Sequence, residues 1–504
     1  MRFVDSFLNR ITMYRLVLYY LATLLGVAAL FGFFHILPYR PADLAFSALV
    51  ILAVGWVVNA AFAKVFGAAP NSESVYITGL ILALIISPVA PTDYAGIGFL
   101  VFASAWAMAS KFIFALGKKH LFNPAAFGVA LGALVLGQGA TWWVGGNLPL
   151  LPLVFLGGLL IVRKIHRFDL VIAFGVAASL SILATTVSIS FFAPLTQTIL
   201  HSTIFFLAFV MLTEPLTMPP TRGLRIAYGA LVGVLFAPNV HLGSFYFTPE
   251  LALLAGNSFV YAVSPKGRRI LTLREKKRLA HDTYEFAFAS DRPLAFKAGQ
   301  YLEWTLGHRS ADNRGNRRYF TIASSPTEDA LRLGVKFYRP ASSFKRALAA
   351  MRAGDTLSVS HVAGDFVLPR DPKKKLAFIA GGIGITPFRS MVQYLVDTKD
   401  SRPVVLLYSN RTAAEIAYKE TFDVAERAIG MKTVYALTAE PSPVPGTIAG
   451  KIDAALIARE IPDYAERTFY ISGPPSMVKA FRGILTGMGI PRLRIKTDYF
   501  PGFA

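Results

Sequence analysis

The chain contains no cysteine among its 504 residues. This absence excludes disulfide bonds, thiolate nucleophiles and cysteine-ligated iron–sulfur clusters within the chain. Any metal or redox group that the chain holds must therefore be bound by other side chains or by the backbone.

Acidic residues are also scarce, since 30 Asp and Glu stand against 51 Lys and Arg and give a formal net charge of +21. Such a charge is typical of nucleic-acid-binding proteins, but the sequence contains no base-reading module. The basic residues cluster instead beside long apolar runs, where a membrane topology signal explains them. We therefore expect no nucleic-acid partner.

Apolar residues make up 54% of the chain and the mean hydropathy is +0.49, which favours a membrane protein over a water-soluble one. A membrane-spanning helix needs about 20 mostly apolar residues. The first apolar stretch is too long for a signal peptide and lacks its cleavage site. Ten spans, several of them short or interrupted by Gly and Pro, are predicted at 16–37, 43–62, 75–89, 94–109, 122–136, 148–162, 168–187, 195–212, 226–240 and 245–263.

Basic residues occupy every second connection between these spans, whereas the intervening loops carry only Arg40. By the positive-inside rule, both ends of residues 1–265 then face the cytoplasm. The lipid bilayer is thus a predicted partner, and the C-terminal half is predicted to be cytoplasmic. The basic residues concerned are Arg2, Arg10, Arg15, Lys64, Lys111, Lys118, Lys119, Arg163, Lys164, Arg167, Arg222, Arg225, Lys266, Arg268 and Arg269.

Short segments recur about 135 positions apart, with Thr78 corresponding to Thr213 and Asn123 to Asn257. The ten spans then form two five-helix halves. An odd number of spans per half makes the halves inverted, an arrangement that often places a binding site between repeats. These polar residues either belong to such a site or only bond neighbouring helices.

Glu214 follows directly on one of these repeat residues. A carboxylate beside a membrane span is costly unless it has a partner or a function. Arg222 and Arg225 are its candidate partners by sequence.

Three segments within residues 15–265 are distinctive: His120-Leu-Phe-Asn123-Pro124-Ala-Ala-Phe, Gly157-Gly-Leu-Leu-Ile-Val-Arg-Lys164 and Phe209-Val-Met-Leu-Thr213-Glu214-Pro215-Leu-Thr217-Met-Pro-Pro-Thr221. They resemble two related bacterial membrane proteins, the B-type membrane component of the sodium-translocating NADH:quinone oxidoreductase and the D-type membrane component of the Rnf ferredoxin:NAD oxidoreductase. The resemblance implies a ten-helix domain that carries electrons through bound flavin, with Asn123, Thr213 and Glu214 as cofactor-binding residues.

One loop departs from those membrane components. They carry FMN as a phosphoester on the threonine of a Ser-Gly-Ala-Thr-Pro-Leu type motif, whereas the loop here reads Ser190-Phe191-Phe192-Ala193-Pro194-Leu195. Gly139-Ala140-Thr141 resembles the motif but lies in another loop. Because Ala193 has no acceptor hydroxyl, any flavin of the membrane domain is expected to be non-covalent FMN or riboflavin.

Haem is the alternative membrane cofactor, and it requires histidines paired across two helices. His35 and His201 lie in or beside spans, His120, His166 and His241 lie in loops, and no two share a span. This distribution disfavours haem, and the sequence predicts no metal site.

After Arg269 the composition becomes that of a globular protein. Alternating stretches at 281–289, 299–305, 331–338 and 356–361 predict an antiparallel β-barrel over 266–370. Apolar strands at 376–380, 404–408, 433–437 and 468–472 alternate with helical stretches and predict a doubly wound α/β domain over 371–504. The predicted fold class is a multi-domain membrane protein that begins with a ten-helix inverted-repeat domain and ends with these two domains.

The most informative stretch is Gly381-Gly382-Ile383-Gly384-Ile385-Thr386-Pro387, which follows a buried strand and begins a helix. Glycines let the backbone approach an anion, and the helix offers its first N–H groups. Such a turn is weak evidence alone, so the neighbouring motifs decide its meaning.

Arg318-Tyr319-Phe320-Thr321 precedes this turn, and Ser472-Gly473-Pro474-Pro475 follows it. In this order the motifs of residues 268–504 are similar to those of the ferredoxin–NADP reductase family, whose flavin signature is Arg-x-(Tyr/Phe)-(Ser/Thr). The resemblance implies that Arg318 holds the FAD diphosphate, that Phe320 packs on the isoalloxazine and that Thr321 lies near its N5. A guanidinium suits phosphate oxygens and an aromatic ring suits a flavin face.

The same resemblance implies the nicotinamide-nucleotide site. Ser472-Gly473-Pro474-Pro475 corresponds to the family's Cys-Gly-Pro-Pro corner, with serine in place of cysteine, and the segment 498–503 places an acid and aromatic rings near the flavin. Arg411 either pairs with the 2′-phosphate of NADPH or packs on adenine. The expected catalytic residues are Thr321, Ser472 and Phe500. The expected cofactor-binding residues of this half are Arg318, Tyr319, Phe320, Thr321, Ser342, Ser343, Gly381, Gly382, Gly384, Thr386, Pro387, Ser409, Arg411, Gly473 and Pro474.

These observations predict an NAD(P)H-dependent FAD oxidoreductase in the bacterial cytoplasmic membrane. Its electron acceptor would be a membrane flavin, a quinone or an extracytoplasmic flavoprotein. Two alternatives remain open, a haem-containing ferric or oxygen reductase and a redox-driven ion pump, which the inverted repeat permits.

Overall fold

The computed structural model describes residues 4, 8, 11–67, 72–116, 119–186, 192–264, 268–308, 312, 316–338, 340–440 and 444–498. The chain divides into two compact units, Met1–Lys266 and Gly267–Ala504. We call them the helical unit and the reductase-like unit. The division between barrel and α/β domain near residue 370 remains a prediction.

The helical unit is built of apolar helices, to which two short hairpins are added. The helices are α1 (Met13–Phe33), α2 (Pro41–Val65), α3 (Ser72–Ile85), α4 (Tyr94–Ile113), α5 (Pro124–Leu136), α6 (Leu151–Ile165), α7 (Phe168–Thr185), α8 (Ala193–His201), α9 (Ile204–Phe206), α10 (Arg222–Phe236) and α11 (Pro249–Val263). The hairpin strands are β1 (Ala115–Leu116), β2 (Lys119–His120), β3 (His241–Leu242) and β4 (Phe245–Tyr246).

Four of these helices, α1, α2, α4 and α7, are long and apolar enough to cross a membrane. A fifth candidate is the pair Ala193–His201 and Ile204–Met211, which is bent by 65° at a short break. The second part of this pair ends in a π-helical segment, Leu207–Met211, and a 3-10 turn follows at Pro215–Thr217. Ten crossings and an inverted repeat remain predictions.

Large apolar side chains stand exposed on several helices. Leu49 and Val57 of α2 are 66% and 70% exposed, and Leu156 of α6 and Leu180 of α7 are both 63% exposed. Exposed apolar surface of this kind marks a membrane-contacting face. Together with the candidate spans, it indicates that the helical unit associates with a membrane.

Small residues bring helices of this unit close together. A Cβ at Gly229 of α10 would lie 2.6 Å from Leu170 O, and one at Gly233 would lie 2.5 Å from Phe174 O. Both carbonyls belong to α7, so the two helices pack with their backbones in near contact. Close approach of this kind replaces the hydrophobic effect as a source of association between membrane helices.

The reductase-like unit begins with a six-stranded antiparallel sheet. Its strands are β5 (Arg269–Ala280), β6 (Thr283–Ser290), β7 (Tyr301–Thr305), β8 (Arg317–Thr321), β9 (Leu331–Lys336) and β10 (Thr356–Ala363), with α12 (Ser343–Ala350) between the last two. The strand order is β8-β7-β10-β5-β6-β9. The N–H of Ala323, two residues beyond β8, donates to Arg332 O of β9 at 2.9 Å, and thus links the two outer strands as a barrel requires. The barrel interior holds Phe286, Phe288 and Trp304.

A six-stranded parallel sheet with its connecting helices follows. Its elements are β11 (Leu376–Gly381), α13 (Thr386–Asp397), β12 (Val404–Asn410), α14 (Lys419–Ile429), β13 (Lys432–Leu437), β14 (Thr447–Ala449), α15 (Ala454–Glu460), β15 (Thr468–Ser472), α16 (Pro475–Gly487) and β16 (Ile495–Asp498). The strand order is β14-β13-β12-β11-β15-β16. Apolar clusters lie on both faces of the sheet, as in a sheet covered by helices on each side. The predicted doubly wound sheet is therefore confirmed.

Candidate functional site

The glycine-rich turn lies at the carboxyl end of the central strand β11, whose six residues are all buried. A 3-10 turn, Gly382–Ile385, leads into α13, and Pro387 stands in the first turn of that helix. Tyr408 of β12 donates its hydroxyl to Gly382 O at 3.1 Å. Tyr408 therefore holds the turn in place, and the N-terminus of α13 begins directly after it, at a position that suits an anion.

A second turn packs directly against the first. A Cβ at Gly384 would lie 2.5 Å from Ser472 O and 2.6 Å from Gly473 Cα. A Cβ at Gly381 would meet Met477 and would lie 3.2 Å from Pro474 Cδ. Glycine is thus required at Gly384, where the obstructing atoms are backbone, whereas a side chain at Gly381 would displace Met477. The two motifs, about 90 residues apart in sequence, share one edge of the sheet.

Two of the three expected catalytic residues meet at this edge, and a carboxylate joins them. Asp498 lies opposite Ser472 in the parallel register of β15 and β16, and Thr321 Oγ1 donates to Asp498 Oδ2 at 3.5 Å. Burial raises the pKa of Asp498 to about 7, although hydrogen bonds from Thr321 and Ser472 oppose the shift. Phe500, the third expected residue, lies outside the described residues.

The expected flavin-phosphate residues converge at the start of α12. Arg318 lies with its guanidinium carbon 5.3 Å from the centre of the Phe344 ring and its Nη2 3.8 Å from Asp312 Oδ1. The N–H of Ser343 donates to Asp312 Oδ2 at 2.9 Å, and Ser342 caps the helix by accepting from the N–H of Lys345 at 3.2 Å.

An anionic group therefore already lies between a guanidinium and a helix N-terminus. A phosphate has the same charge sign as the Asp312 carboxylate and accepts the same donors. The residues present at this place fit a diphosphate.

The two aromatic residues of the flavin signature point to opposite faces of β8, as alternation along a strand dictates. Tyr319 is 44% exposed and donates its hydroxyl to Glu303 Oε2 at 2.8 Å. Phe320 packs against Phe344 with ring centres 6.0 Å apart, on the face that Arg318 shares. The rings thus offer one exposed and one half-buried aromatic surface beside Thr321.

The expected adenosine-ribose residues lie at the next strand end. Ser409 is the register partner of Gly381 in β12, and Arg411 follows directly after the strand, where its carbonyl accepts from the N–H of Ala439 at 2.9 Å. Both residues therefore lie at the carboxyl edge of the parallel sheet, where ligands of such sheets bind.

In the helical unit, Asn123 and Glu214 are brought together. Asn123 Nδ2 donates to Glu214 Oε2 at 2.9 Å, and its N–H donates to Asn257 Oδ1 at 2.8 Å. The second oxygen of Glu214 pairs with His120 Nε2 at 2.9 Å. His120 was expected only as an isolated loop histidine, because 94 residues separate it from its partner and no local pattern links them.

Arg225, a proposed partner of Glu214, and Thr213, the third residue expected to bind a cofactor, have other partners. Arg225 pairs with Asp169 at 3.0 Å. The hydroxyl of Thr213 donates to Phe209 O of its own helix at 2.7 Å, which is a structural use of the group. In the loop compared with the FMN motif, Ser190 and Phe191 lie outside the described residues, and Ala193 is the first residue of α8.

Two family profiles match the reductase-like unit. An oxidoreductase FAD-binding domain matches residues 270–367, and an oxidoreductase NAD-binding domain matches residues 378–483. The first contains Arg318 and Thr321, and the second contains the turns at Gly381 and Ser472. The reductase-like unit is an NAD(P)H-dependent FAD oxidoreductase. Binding of FAD and of a nicotinamide nucleotide is thereby confirmed, as is the resemblance of this unit to ferredoxin–NADP reductases.

Curated relatives agree with this assignment. The chain is 26% identical over 48% of its length to the reductase component of propane 2-monooxygenase from Mycolicibacterium goodii. It is 28% identical over 44% of its length to NADH-cytochrome b5 reductase 1 from Ajellomyces capsulatus, and 29% identical over 41% to a flavohemoprotein from Deinococcus radiodurans. The matches cover 66%, 74% and 52% of those proteins' own lengths.

Proposed function

We propose that the chain is a membrane flavoprotein oxidoreductase that takes hydride from cytoplasmic NAD(P)H onto FAD and passes the electrons into or across the membrane. The observation that carries this proposal is the junction of the two turns at Gly384 and Gly473 beside Thr321 and Asp498. It supports the proposal because the carboxyl edge of the parallel sheet lies next to the end of β8, which carries the residues of the flavin signature.

The expected cofactor-binding and catalytic residues each have a role in this proposal. Arg318 and the first N–H groups of α12 would bind the FAD diphosphate, while the turn at Gly381–Pro387 would bind the diphosphate of the nicotinamide nucleotide. Thr321 and Ser472 orient their hydroxyls toward Asp498, which holds a proton near neutral pH because of its raised pKa. When bound, FAD supplies the ability to exchange electrons in pairs or singly.

The electrons would leave toward a membrane flavin, a quinone or an extracytoplasmic flavoprotein. Support comes from the candidate spans of the helical unit, from its resemblance to flavin-carrying membrane proteins, and from the absence of cysteine, which excludes an internal iron–sulfur relay. Asn123 and Glu214 would belong to a non-covalent flavin site there. The basic loops favour the bacterial cytoplasmic membrane, with the reductase-like unit on the cytoplasmic side.

The test is anaerobic reduction of the purified full chain in detergent. We expect NADH or NADPH to bleach the flavin absorbance, and we expect extraction to yield FAD together with a second flavin from the helical unit. Failure of both nucleotides to bleach the flavin would contradict the proposal. A reduced-minus-oxidised spectrum with sharp haem bands would favour the haem-containing alternative instead.

A further inference from the structure

A network of buried and half-buried charges connects the barrel to the parallel sheet within the reductase-like unit. Its centre is Arg389 of α13, whose side chain is 9% exposed and pairs with Glu328 of the loop between β8 and β9. Arg389 Nη2 donates to Glu328 Oε1 at 2.9 Å, and Nη1 donates to Oε2. This is the two-pronged geometry in which a guanidinium fixes both distance and orientation.

Glu328 is itself held from the barrel side. Its Oε2 accepts the N–H of Ser325 at 2.6 Å, and its Oε1 accepts Arg332 Nε at 3.0 Å. Arg332 continues to Glu285 of β6 with an Nη1 to Oε1 distance of 2.6 Å. The carboxylate that pairs with Arg389 is thus held to β9 directly, through Arg332, and to β6 through Arg332 and Glu285.

The network joins the two segments that would hold the cofactors. Arg389 Nη1 donates to Ala323 O at 3.1 Å, and Ser390 Oγ donates to Ser324 O at 2.6 Å. Ala323 and Ser324 follow Thr321, the end of the flavin strand, by two and three residues. Arg389 and Ser390 follow the start of the nucleotide helix by a single turn.

The side chains around Arg389 and the first turn of α13 are closely packed. A Cβ at Gly334 of β9 would lie 2.8 Å from Thr386 Cγ2 and 2.6 Å from the hydroxyl of Tyr418. The guanidinium of Arg389 lies 5.8 Å from the centre of the same tyrosine ring. The first turn of α13 is therefore confined by a strand on one side and by the ion network on another.

We propose that Arg389 and Glu328 are positioning residues, which fix the flavin strand against the nucleotide helix and thereby set the rate of hydride transfer. The inference rests on the proposed function, because it needs hydride to pass between groups held by these two segments. Hydride transfer depends steeply on the separation of the reacting atoms, so that a shift of about 1 Å can cost about 100-fold in rate.

The chain offers a matched pair for comparison. Arg402 is also buried, and its Nε lies 3.0 Å from both oxygens of Asp400. Its Nη1 donates to Pro369 O at 3.0 Å. This pair has the same chemistry and lies beyond the opposite end of α13, so its loss should lower stability without moving the flavin strand against the nucleotide turn.

The experiment compares Arg389→Met, Arg389→Lys, Glu328→Gln and Arg402→Met in the full-length chain loaded with FAD. Anaerobic stopped-flow mixing with NADH or NADPH gives the limiting rate of flavin bleaching and the dissociation constant of the nucleotide. We expect the Arg389→Met limiting rate to fall about 10- to 100-fold, with a dissociation constant within about threefold of wild type. Glu328→Gln should behave similarly, and Arg389→Lys should recover part of the rate.

A readout without cofactor complements the rates. Amide hydrogen exchange over residues 322–328 should become faster in Arg389→Met and stay unchanged in Arg402→Met.

A primary deuterium isotope effect with 4-deuterated nucleotide should be larger in Arg389→Met, because the hydride step becomes limiting.

Equal losses of rate in Arg389→Met and Arg402→Met would overturn the positioning role, as would a change in the dissociation constant alone. A wild-type chain that neither nucleotide reduces contradicts the proposed function instead. In that case unchanged hydrogen exchange in Arg389→Met overturns the positioning role by itself.

Discussion

Each unit of the molecule holds a half-buried carboxylate, and the two are partnered in opposite ways. Glu214 of the helical unit has an imidazole nitrogen of His120 and an amide nitrogen of Asn123, each at 2.9 Å, and a hydroxyl of Thr217 at 3.3 Å. Among the described residues, the side-chain partners of Asp498 in the reductase-like unit are the hydroxyls of Thr321 and Ser472. The first carboxylate is fixed by its surroundings, whereas the second is left able to exchange a proton.

This contrast teaches how the two units use buried charge. In apolar surroundings an ionised side chain is tolerated when a partner of opposite charge or several hydrogen bonds satisfy it. A carboxylate that lacks a cationic partner keeps its proton to higher pH, which suits a site where protons and electrons are exchanged. Three substitutions test how the two units differ. Tryptophan fluorescence reports mainly on the helical unit, which contains four of the five tryptophans (Trp56, Trp106, Trp142, Trp143). FAD reports on the reductase-like unit.

Gly384→Ala should have the largest effect and should be confined to the reductase-like unit. The new Cβ would lie 2.5 Å from Ser472 O, so the two turns must separate. We expect NAD(P)H to bleach the flavin more than about 100-fold more slowly, while FAD remains bound and the tryptophan unfolding transition is unchanged. Gly483→Ala in α16 is the control, because a Cβ there meets open space among the described residues. A normal rate in Gly384→Ala would contradict the shared edge of the two motifs.

Asp498→Asn should remove a pH dependence. Folding raises the pKa of Asp498 to about 7 from an unfolded value near 4, so the folded chain holds more protons in that interval and loses stability as pH rises from about 4 to about 7. The asparagine variant cannot ionise and should gain up to about 4 kcal/mol over wild type at pH 8, but little at pH 4. The temperature at which FAD is released measures this difference.

Exposed Asp371→Asn serves as the comparison for that experiment and should release FAD at the wild-type temperature at both pH values. A stability difference between Asp498→Asn and wild type that does not change between pH 4 and pH 8 would mean that Asp498 ionises as an ordinary surface carboxylate does.

Glu214→Gln should have the smallest effect on reduction and should act on the helical unit. It removes the charge that faces His120 and leaves one carbonyl oxygen for the donors of Asn123 and Thr217, so we expect a loss of about 1.5–3 kcal/mol in unfolding free energy. Tryptophan fluorescence measures the loss, and the rate at which NAD(P)H bleaches the FAD of the reductase-like unit should not change. Glu250→Gln is the control, since Trp142 Nε1 donates to Glu250 at 2.9 Å and one good acceptor survives. Equal losses in the two variants would remove the special status of Glu214.

The sequence predicted what is encoded locally. A buried strand, three glycines and Pro387 determine the nucleotide turn within a dozen residues, and the parallel sheet follows from four apolar strands that alternate with helices. The contacts of Glu214 with His120, of Thr321 with Asp498 and of Arg389 with Glu328 join residues 94, 177 and 61 positions apart. No periodicity or motif marks such pairs, because folding alone brings them together.

The same limit applies to the arginines near Glu214. Sequence proximity suggested Arg225 as a partner of Glu214. However, α10 packs against α7 through Gly229 and Gly233, and Arg225 of α10 therefore pairs with Asp169 of α7. Helix packing, rather than distance along the chain, decided the ion pair.

The π-helical segment Leu207–Met211 limits how many residues this part of the chain can gain or lose. The N–H of Leu212 donates to Leu207 O at 2.9 Å, so this turn contains one residue more than an α-helical turn. Each residue of an α-helix rotates the chain by about 100°, and the direction of Glu214 toward His120 therefore depends on that additional residue. A deletion of one residue in this segment would keep every side chain of the charge cluster and aim the carboxylate elsewhere. Between helix α9 and the 3-10 turn, an insertion or deletion would thus change the direction in which the Glu214 side chain points.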